Sequence, residues 1–380
     1  MTIIVWMPAL LAGAAVAYTL FAAWAVAGFG RGAAPVGPAE PVSLLKPLHG
    51  AEPRLRDNLM TFLDQDWAAP IEMVAGVQRA DDQAIAVVSS LPATANVVLI
   101  RDATRHGGNA KVSNLINMGP AASHDMVVLS DSDMAVPRDY LRRLAGALGE
   151  PGVGAATCLY RGRGDAGRWS VLAAAGISYH FLPQLLVGLR LGLARPGMGS
   201  TIALRARTLA AAGGFMPFAD SLADDYALGE AVRAQGLRVV VPAMMLVHGC
   251  DEPSLAAVWR HELRWAATIL RINPGGQIGT ILTYPIPLTL IACAATPRAG
   301  LALLALAVLA RLLLWRTVDA AAARLGGGAR RTASAWLLPW RDGLSFAVFV
   351  AAFFARSVDW RGSRLKMEPS GRVSAAKEFP

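Results

Sequence analysis

Three cysteines in 380 residues, Cys158, Cys250 and Cys293, stand apart with no C-x-x-C pair, so neither a disulfide framework nor a thiolate metal site is implied. Charge is scarce as well: 17% charged against 54% hydrophobic residues is too apolar for an ordinary soluble protein of this length. No charged residue precedes Arg31, so the N-terminal apolar run lacks the basic flank of a secretory signal and reads as a retained anchor. The chain carries no RNA-binding aromatic signature, no zinc-ligand spacing and no basic helix with base-reading residues, which argues against a nucleic-acid partner. Its net charge of +9 then points to anionic lipid headgroups. Internal repeats are absent. The run Gly107-Gly108-Asn109-Ala110-Lys111 lacks the spacing of a Walker loop, although Lys111 is a candidate phosphate contact.

What the chain has in excess is membrane-length apolar sequence at both ends. Ile3 to Phe29 exceeds the ~20 apolar residues needed to cross a bilayer. The first positive charges follow it, at Arg31, Lys46, Arg54 and Arg56, which places the N-terminus outside and the central domain in the cytoplasm. From Ser254 a broad apolar helical stripe with Arg260, Glu262, Arg264 and Arg271 interspersed suits a helix lying in the membrane interface. Ile278 to Thr296 and Ala299 to Trp315 read as spans. A third segment, Ala335 to Phe354, is interrupted by Arg341-Asp342, a pair expensive in lipid unless buried against protein. A re-entrant or interfacial third segment keeps the basic tail, Arg356 to Lys366, in the cytoplasm, as the positive-inside rule prefers.

Between the ends, after a Gly/Pro/Ala linker from Gly30 to Pro41, short apolar runs alternate with helical patterns. Strands are expected at Val42–Leu45, Ile71–Val77, Asn96–Ile100, Met126–Ser130, Val153–Leu159 and Arg238–Val241, and helices at Arg54–Trp67, Pro137–Leu148, Arg207–Ala212 and Asp225–Gln235. This is the βαβ pattern of a mostly parallel sheet. The expected division is an anchor at 1–30, a catalytic α/β domain at 40–252, an interfacial helix at 253–272, a membrane region at 273–356 and a basic tail at 357–380.

Four features carry chemistry. Asp81-Asp82 lies just beyond the second strand, where a carboxylate can take hydrogen bonds from a base or ribose; on a loop it also reads as a solvated pair. Asp131-Ser132-Asp133 ends an apolar strand at the place where open α/β sheets bind ligands. Two carboxylates there can grip a hard divalent cation that holds a diphosphate, and equally can cap a turn. Asp224-Asp225 opens a helix, as a cap worth ~1 kcal/mol or as a general base facing an acceptor hydroxyl. His261-Glu262-Leu263-Arg264-Trp265 is not the zinc motif HExxH, because Trp stands at 265; it reads as an interfacial helix with an aromatic anchor, or as a charge and a wall for substrates.

The order Asp-Asp, Asp-x-Asp, Asp-Asp, x-x-x-Arg-Trp resembles the D, DxD, D, (Q/R)xxRW series of family-2-type inverting glycosyltransferases. Val42-Ser-Leu-Leu-Lys-Pro-Leu-His-Gly50, Lys111-Val-Ser-Asn-Leu115, Gly197-Met-Gly-Ser-Thr201 and Val358-Asp-Trp-Arg-Gly362 are similar to ceramide glucosyltransferases. The His-x-x-Arg-Trp form is similar to that of bacterial hopanoid biosynthesis-associated glycosyltransferases. The resemblance runs from about Pro41 to Gly362. It implies a GT-A fold, a bacterial inner-membrane enzyme, a UDP-sugar donor, a hopanoid or ceramide acceptor and a divalent metal, Mg²⁺ or Mn²⁺, on the DxD. It assigns Asp82, or Asp81, to the nucleotide, Asp131 and Asp133 to the metal and diphosphate, Asp225 to the catalytic base, and Arg264 and Trp265 to the diphosphate and acceptor sides. His261 stands where the family carries Gln or Arg, among the donor-side residues with Lys111.

Overall fold

In the computed structural model, residues 2–32, 35–328 and 330–355 are described, together with three short strands at Ser357–Trp360, Ser363–Met367 and Val373–Ala375. Arg361 and Gly362 of the last resemblance motif, Arg356 at the start of the basic tail, and the rest of that tail outside the three strands lie outside the described residues.

The α/β region is built on strands β1 (Val42–Pro47), β2 (Ile71–Val77), β3 (Asn96–Arg101), β4 (Met126–Leu129), β5 (Met134–Ala135), β6 (Val153–Thr157), β7 (Leu159–Gly164), β8 (Ile202–Arg205), β9 (Arg238–Val240) and β10 (Met245–Cys250). Seven of them form one sheet in the order β3-β2-β1-β4-β8-β6-β9. All its pairings are parallel except those of β8, which runs antiparallel to β4 and β6. Adjacent residues face opposite sides: Leu44, Met73 and Val128 join one core, Leu45, Val74 and Val127 the other. Both faces are therefore covered, which explains why these strands are continuous apolar runs instead of alternating ones.

The expected strand Val153–Leu159 is corrected to two: the chain leaves the main sheet after Thr157, and β7 joins β10 and β5 in a smaller sheet. That small sheet lies at the end of β4 and sets His248 opposite Met134, beside Asp133. The chain then forms an apolar helical stretch at Arg168–Arg190, 23 residues long, with a π-helical turn at Ile177–Phe181.

The apolar ends come together. The helices Thr2–Gly28, Pro285–Ala295 and Pro297–Arg324 pack through small residues, Ala9, Ala12, Ala15 and Ala292 in one cluster, Ala307 and Ala310 in another. Small side chains let helix backbones approach where lipid supplies no hydrophobic drive. Among the described residues three helical stretches are long and apolar enough to cross a membrane, Trp6–Gly28, Arg168–Arg190 and Pro297–Arg324. The expected continuous span Ile278–Thr296 is instead bent by 69° before Pro285, which starts the second helical piece as its fixed φ allows. The span expected at Ala299–Trp315 extends to Pro297–Arg324. The third segment forms a helix of only 15 residues, Leu338–Ala352, with Arg341 and Asp342 both buried against protein. At the domain side Arg324 donates to the carbonyls of Phe29 and Gly30, both at 2.9 Å, so two membrane-length helices end beside each other.

Candidate active site

The β4 strand delivers Asp131 and Asp133 to the C-terminal edge of the sheet, and two lysines meet them there. Lys46, at the end of β1, is 1% exposed and donates to the Ser130 hydroxyl at 3.1 Å and to the Asp131 carbonyl at 3.0 Å, with its ammonium 3.2 Å from the centre of the Phe62 ring. Burial drives its pKa well down, against the pull of Asp131 and Asp133. Lys111 stands in the first turn of the helix Ala110–Met118, which Asn109 caps by accepting from the Val112 N–H at 3.1 Å. Its ammonium lies 2.7 Å from Asp131 and 3.5 Å from Asp224. Burial opposes that charge, but Asp131, Asp224 and Asp225 together outweigh it and raise the Lys111 pKa.

Asp133 has a different environment. Burial and then the Asp131 charge push its carboxyl up to about 7. One oxygen lies 3.3 Å from His248 Nε2; the other, Oδ1, is buried without a hydrogen-bond partner. An orphaned carboxylate oxygen beside Asp131 fits a hard cation, which prefers oxygen ligands. Among the described residues no group of three or more His, Cys, Asp or Glu could hold a metal by itself, so a cation here would need oxygens from a bound diphosphate or water.

Asp225 is fixed at the first turn of the helix Asp224–Ala234. Its Oδ2 accepts from the Gly199 N–H and its Oδ1 from its neighbour Tyr226, both at 2.8 Å. Burial, then the adjacent Asp224, raises its carboxyl to about 6. The loop from Gly197 to Thr201 needs glycine at its first position, where a Cβ on Gly197 would meet the Asp225 backbone carbonyl at 2.5 Å; one on Gly199 would press on the end of the Asp131 side chain at 2.8 Å.

Asp82 is 7% exposed and accepts from the backbone of Gly50 at 2.8 Å and Ala84 at 2.9 Å, which ties the ends of β1 and β2. Asp81 turns outward to Arg79 at 2.8 Å, with its side chain 72% exposed. Of the two, Asp82 is the one inside the fold.

The motif helix, Leu255–Ile272, starts at Ser254, whose hydroxyl accepts from the Ala257 N–H at 3.2 Å. His261 and Trp265, one turn apart, contact each other at 4.6 Å between ring centres. His261 Nδ1 lies 2.5 Å from Glu252, a carboxylate just after β10 whose pKa, despite burial, is lowered by that bond. Aromatic contacts continue from Trp265 to Phe181 at 6.5 Å, to Tyr160 at 5.2 Å and to His248 at 5.5 Å. Arg264 is partly buried on the same turn.

The structure thus gathers Lys111, Asp131, Asp133 and Asp225 about one centre, with His261 near enough to Asp133 to act on its charge. Lys46, His248 and Glu252 were not singled out by sequence. Lys46 sits in the stretch Val42–Gly50 without a chemical signal of its own, and nothing local distinguishes His248 or Glu252.

The chain matches the description Glycosyl transferase family 21 over residues 4–373. It is 21% identical over 345 residues to Ceramide glucosyltransferase 1 of Caenorhabditis elegans, covering 88% of this chain and 73% of that protein. Its fold is similar to that of the mannosyltransferase PcManGT of Pyrobaculum calidifontis in complex with GDP-Man and Mn²⁺, with a TM-score of 0.51, 20% identity, and coverage of 92% of this chain and 99% of the other. The expected GT-A architecture holds.

Proposed function

The chain belongs to glycosyl transferase family 21, and from that premise we propose that it transfers N-acetylglucosamine from UDP-N-acetylglucosamine to the polyol side chain of a hopanoid lipid, with inversion. The observation that carries the reading is the juxtaposition of Asp131, Asp133 and Asp225 under a helix that joins the sheet to the membrane-length helices. In the proposed step the acceptor hydroxyl oxygen attacks the anomeric carbon as the bond to the diphosphate oxygen breaks. The hydroxyl proton passes to Asp225, and UDP leaves with the bonding electrons.

Asp225 suits that role because two backbone N–H groups aim it and a carboxyl near 6 is largely ionised at neutral pH yet basic enough to accept a proton. Asp82 is assigned to the nucleotide, Lys111 and Arg264 to the diphosphate, His261 to the donor side with them, and Trp265 to the acceptor side. Asp131 and Asp133 would hold the Mg²⁺ or Mn²⁺; such a cation, when bound, neutralises charge on the departing diphosphate.

We place residues 40–252 in the cytoplasm of a bacterium, on the inner membrane. The adjacent ends of the helices at Gly28 and Arg324 support entry of both from the domain side, and Trp336 and Trp340, 71% and 74% exposed, suit the bilayer interface. A rigid apolar acceptor body can then stay in lipid while its hydroxylated tail reaches Asp225. The likeness to a protein named ceramide glucosyltransferase supports a second reading, glucosyl transfer to ceramide. Incubation of the purified protein with several UDP-sugars and extracted lipids, followed by mass spectrometry, tests both. A glycosylated hopanoid supports the first, glucosylceramide the second, and no lipid product from any donor refutes them together.

A further inference from the structure

Glu262 lies inside the motif turn, yet it faces away from the proposed site. Its two carboxylate oxygens accept from the guanidinium of Arg341, one of them at 2.6 Å from Nη1 and the other from Nη2. Arg341 belongs to the short helix Leu338–Ala352 and is 1% exposed. It also donates to the Leu172 carbonyl at 3.2 Å and to the Ser345 hydroxyl at 2.7 Å. A Cβ on Gly176 would stand 3.1 Å from this guanidinium and 3.3 Å from Glu262, so the apolar helix Arg168–Arg190 leaves a glycine where the pair fits. The next residue, Asp342, is 0% exposed and reaches the other way, to Arg311 at 2.6 Å and His180 at 2.9 Å.

We infer that Glu262 and Arg341 are positioning residues for sugar transfer, a bidentate clamp through which the C-terminal membrane-region helix sets the rotation of the motif helix. This rests on the reading of the site given above. Successive residues of a helix differ by about 100° in direction, so Glu262 cannot keep both bonds to Arg341 if the turn rotates. His261 and Trp265 on the neighbouring face are then held in register with it. From the sheet side the same turn is tied by His261 to Glu252. The motif is clamped from two directions, by carboxylates that would not themselves touch the reacting atoms.

The test uses the full chain in nanodiscs, with thermal midpoint, donor KM, acceptor KM and kcat measured for Arg341→Lys, Glu262→Gln, Arg341→Met and the double variant Glu262→Gln/Arg341→Met. Arg341→Lys keeps the charge and loses the two-pronged geometry; it should lower the midpoint by a few degrees, because buried acceptors such as the Leu172 carbonyl lose their donor, and keep the wild-type donor KM while kcat falls about tenfold to a hundredfold, the effect of a small misplacement of reacting groups. Each of the other single variants leaves a buried group unpaired and lowers the midpoint. The double variant removes both charges, regains midpoint, and should keep the loss of kcat. Wild-type kcat in Arg341→Lys, or a double variant that regains kcat together with midpoint, overturns the inference and leaves the pair a purely structural contact. If the double variant does not regain midpoint, Arg341→Lys decides alone. Trp265→Ala and Asp225→Asn run beside them: wild-type kcat in both would sink the site reading itself, whereas losses there with wild-type kcat in Arg341→Lys sink only the clamp.

Discussion

Asp225→Asn separates catalysis from stability because two stability terms of opposite sign are of similar size. Burial and Asp224 raise the Asp225 carboxyl from 3.8 to about 6. A folded-state value above the unfolded one means that ionisation costs stability: the cost is absent below pH ~4, accrues between about 4 and 6, and is complete above that. At about 1.4 kcal/mol per pH unit the cost is about 3 kcal/mol at neutral pH, and a neutral Asn removes it. Against this, Asp225 accepts from Gly199 and Tyr226 with different oxygens. Asn has one carbonyl oxygen, so its amide NH₂ confronts one of those N–H groups, at a cost of about 1–3 kcal/mol. The net change is small, and the thermal midpoint should move by only a few degrees. Turnover should nevertheless fall by about a hundredfold or more, the contribution of a lost general base, while calorimetry shows UDP-sugar affinity nearly unchanged. Turnover within a few-fold of wild type would refute the base assignment and reduce Asp225 to a helix-start carboxylate.

Legibility followed how local the physics is. β2 and β4 were readable because burial on both faces makes each an unbroken apolar run, and Asp131-Ser132-Asp133 was readable because the carboxylates end that run. β7 and β10 were not, because Leu-Tyr-Arg-Gly-Arg-Gly and Met-Leu-Val-His-Gly-Cys interrupt the apolar pattern with groups whose partners are distant: Asn58 for Arg163 at 3.1 Å, Asp133 for His248 at 3.3 Å. The split of Val153–Leu159 depends on where β7 finds a partner, which no run of residues encodes. The bend before Pro285 had a local signal, but apolar composition alone favoured one span from Ile278 to Thr296. Arg341-Asp342 was legible as a cost that needed protein around it, while its partners Glu262, Arg311 and His180 are distant in sequence. Among the site residues, Asp131, Asp133 and Asp225 announce themselves as acids and Lys111 is legible as a phosphate contact, whereas Lys46 meets Asp131 only once β1 is placed.

Asp224→Asn removes the like charge beside Asp225 but not the larger effect of burial, so the acid limb of kcat/KM against pH should move down by part of its elevation; an unmoved or raised limb contradicts the electrostatic account. Gly199→Ala puts a methyl 2.8 Å from the Asp131 carboxylate and 2.9 Å from the Lys111 ammonium, both ends of flexible side chains. The fold should survive, and donor KM should rise about tenfold, the loss of one charge-assisted hydrogen bond; an unchanged KM would place the donor elsewhere. The cation is testable through a carboxylate oxygen that the fold leaves unsatisfied beside Asp131. Asp133 Oδ1 is buried without a partner, an arrangement that costs about 1–3 kcal/mol unless a ligand completes it. Excess chelator should therefore abolish transfer and Mg²⁺ or Mn²⁺ restore it, whereas Asp133→Asn should remain inactive at any concentration of either ion while its thermal midpoint stays at or above wild type, because the variant removes a buried charge. Full activity in chelator, or in Asp133→Asn, would mean that Lys111 and Arg264 balance the diphosphate without a cation.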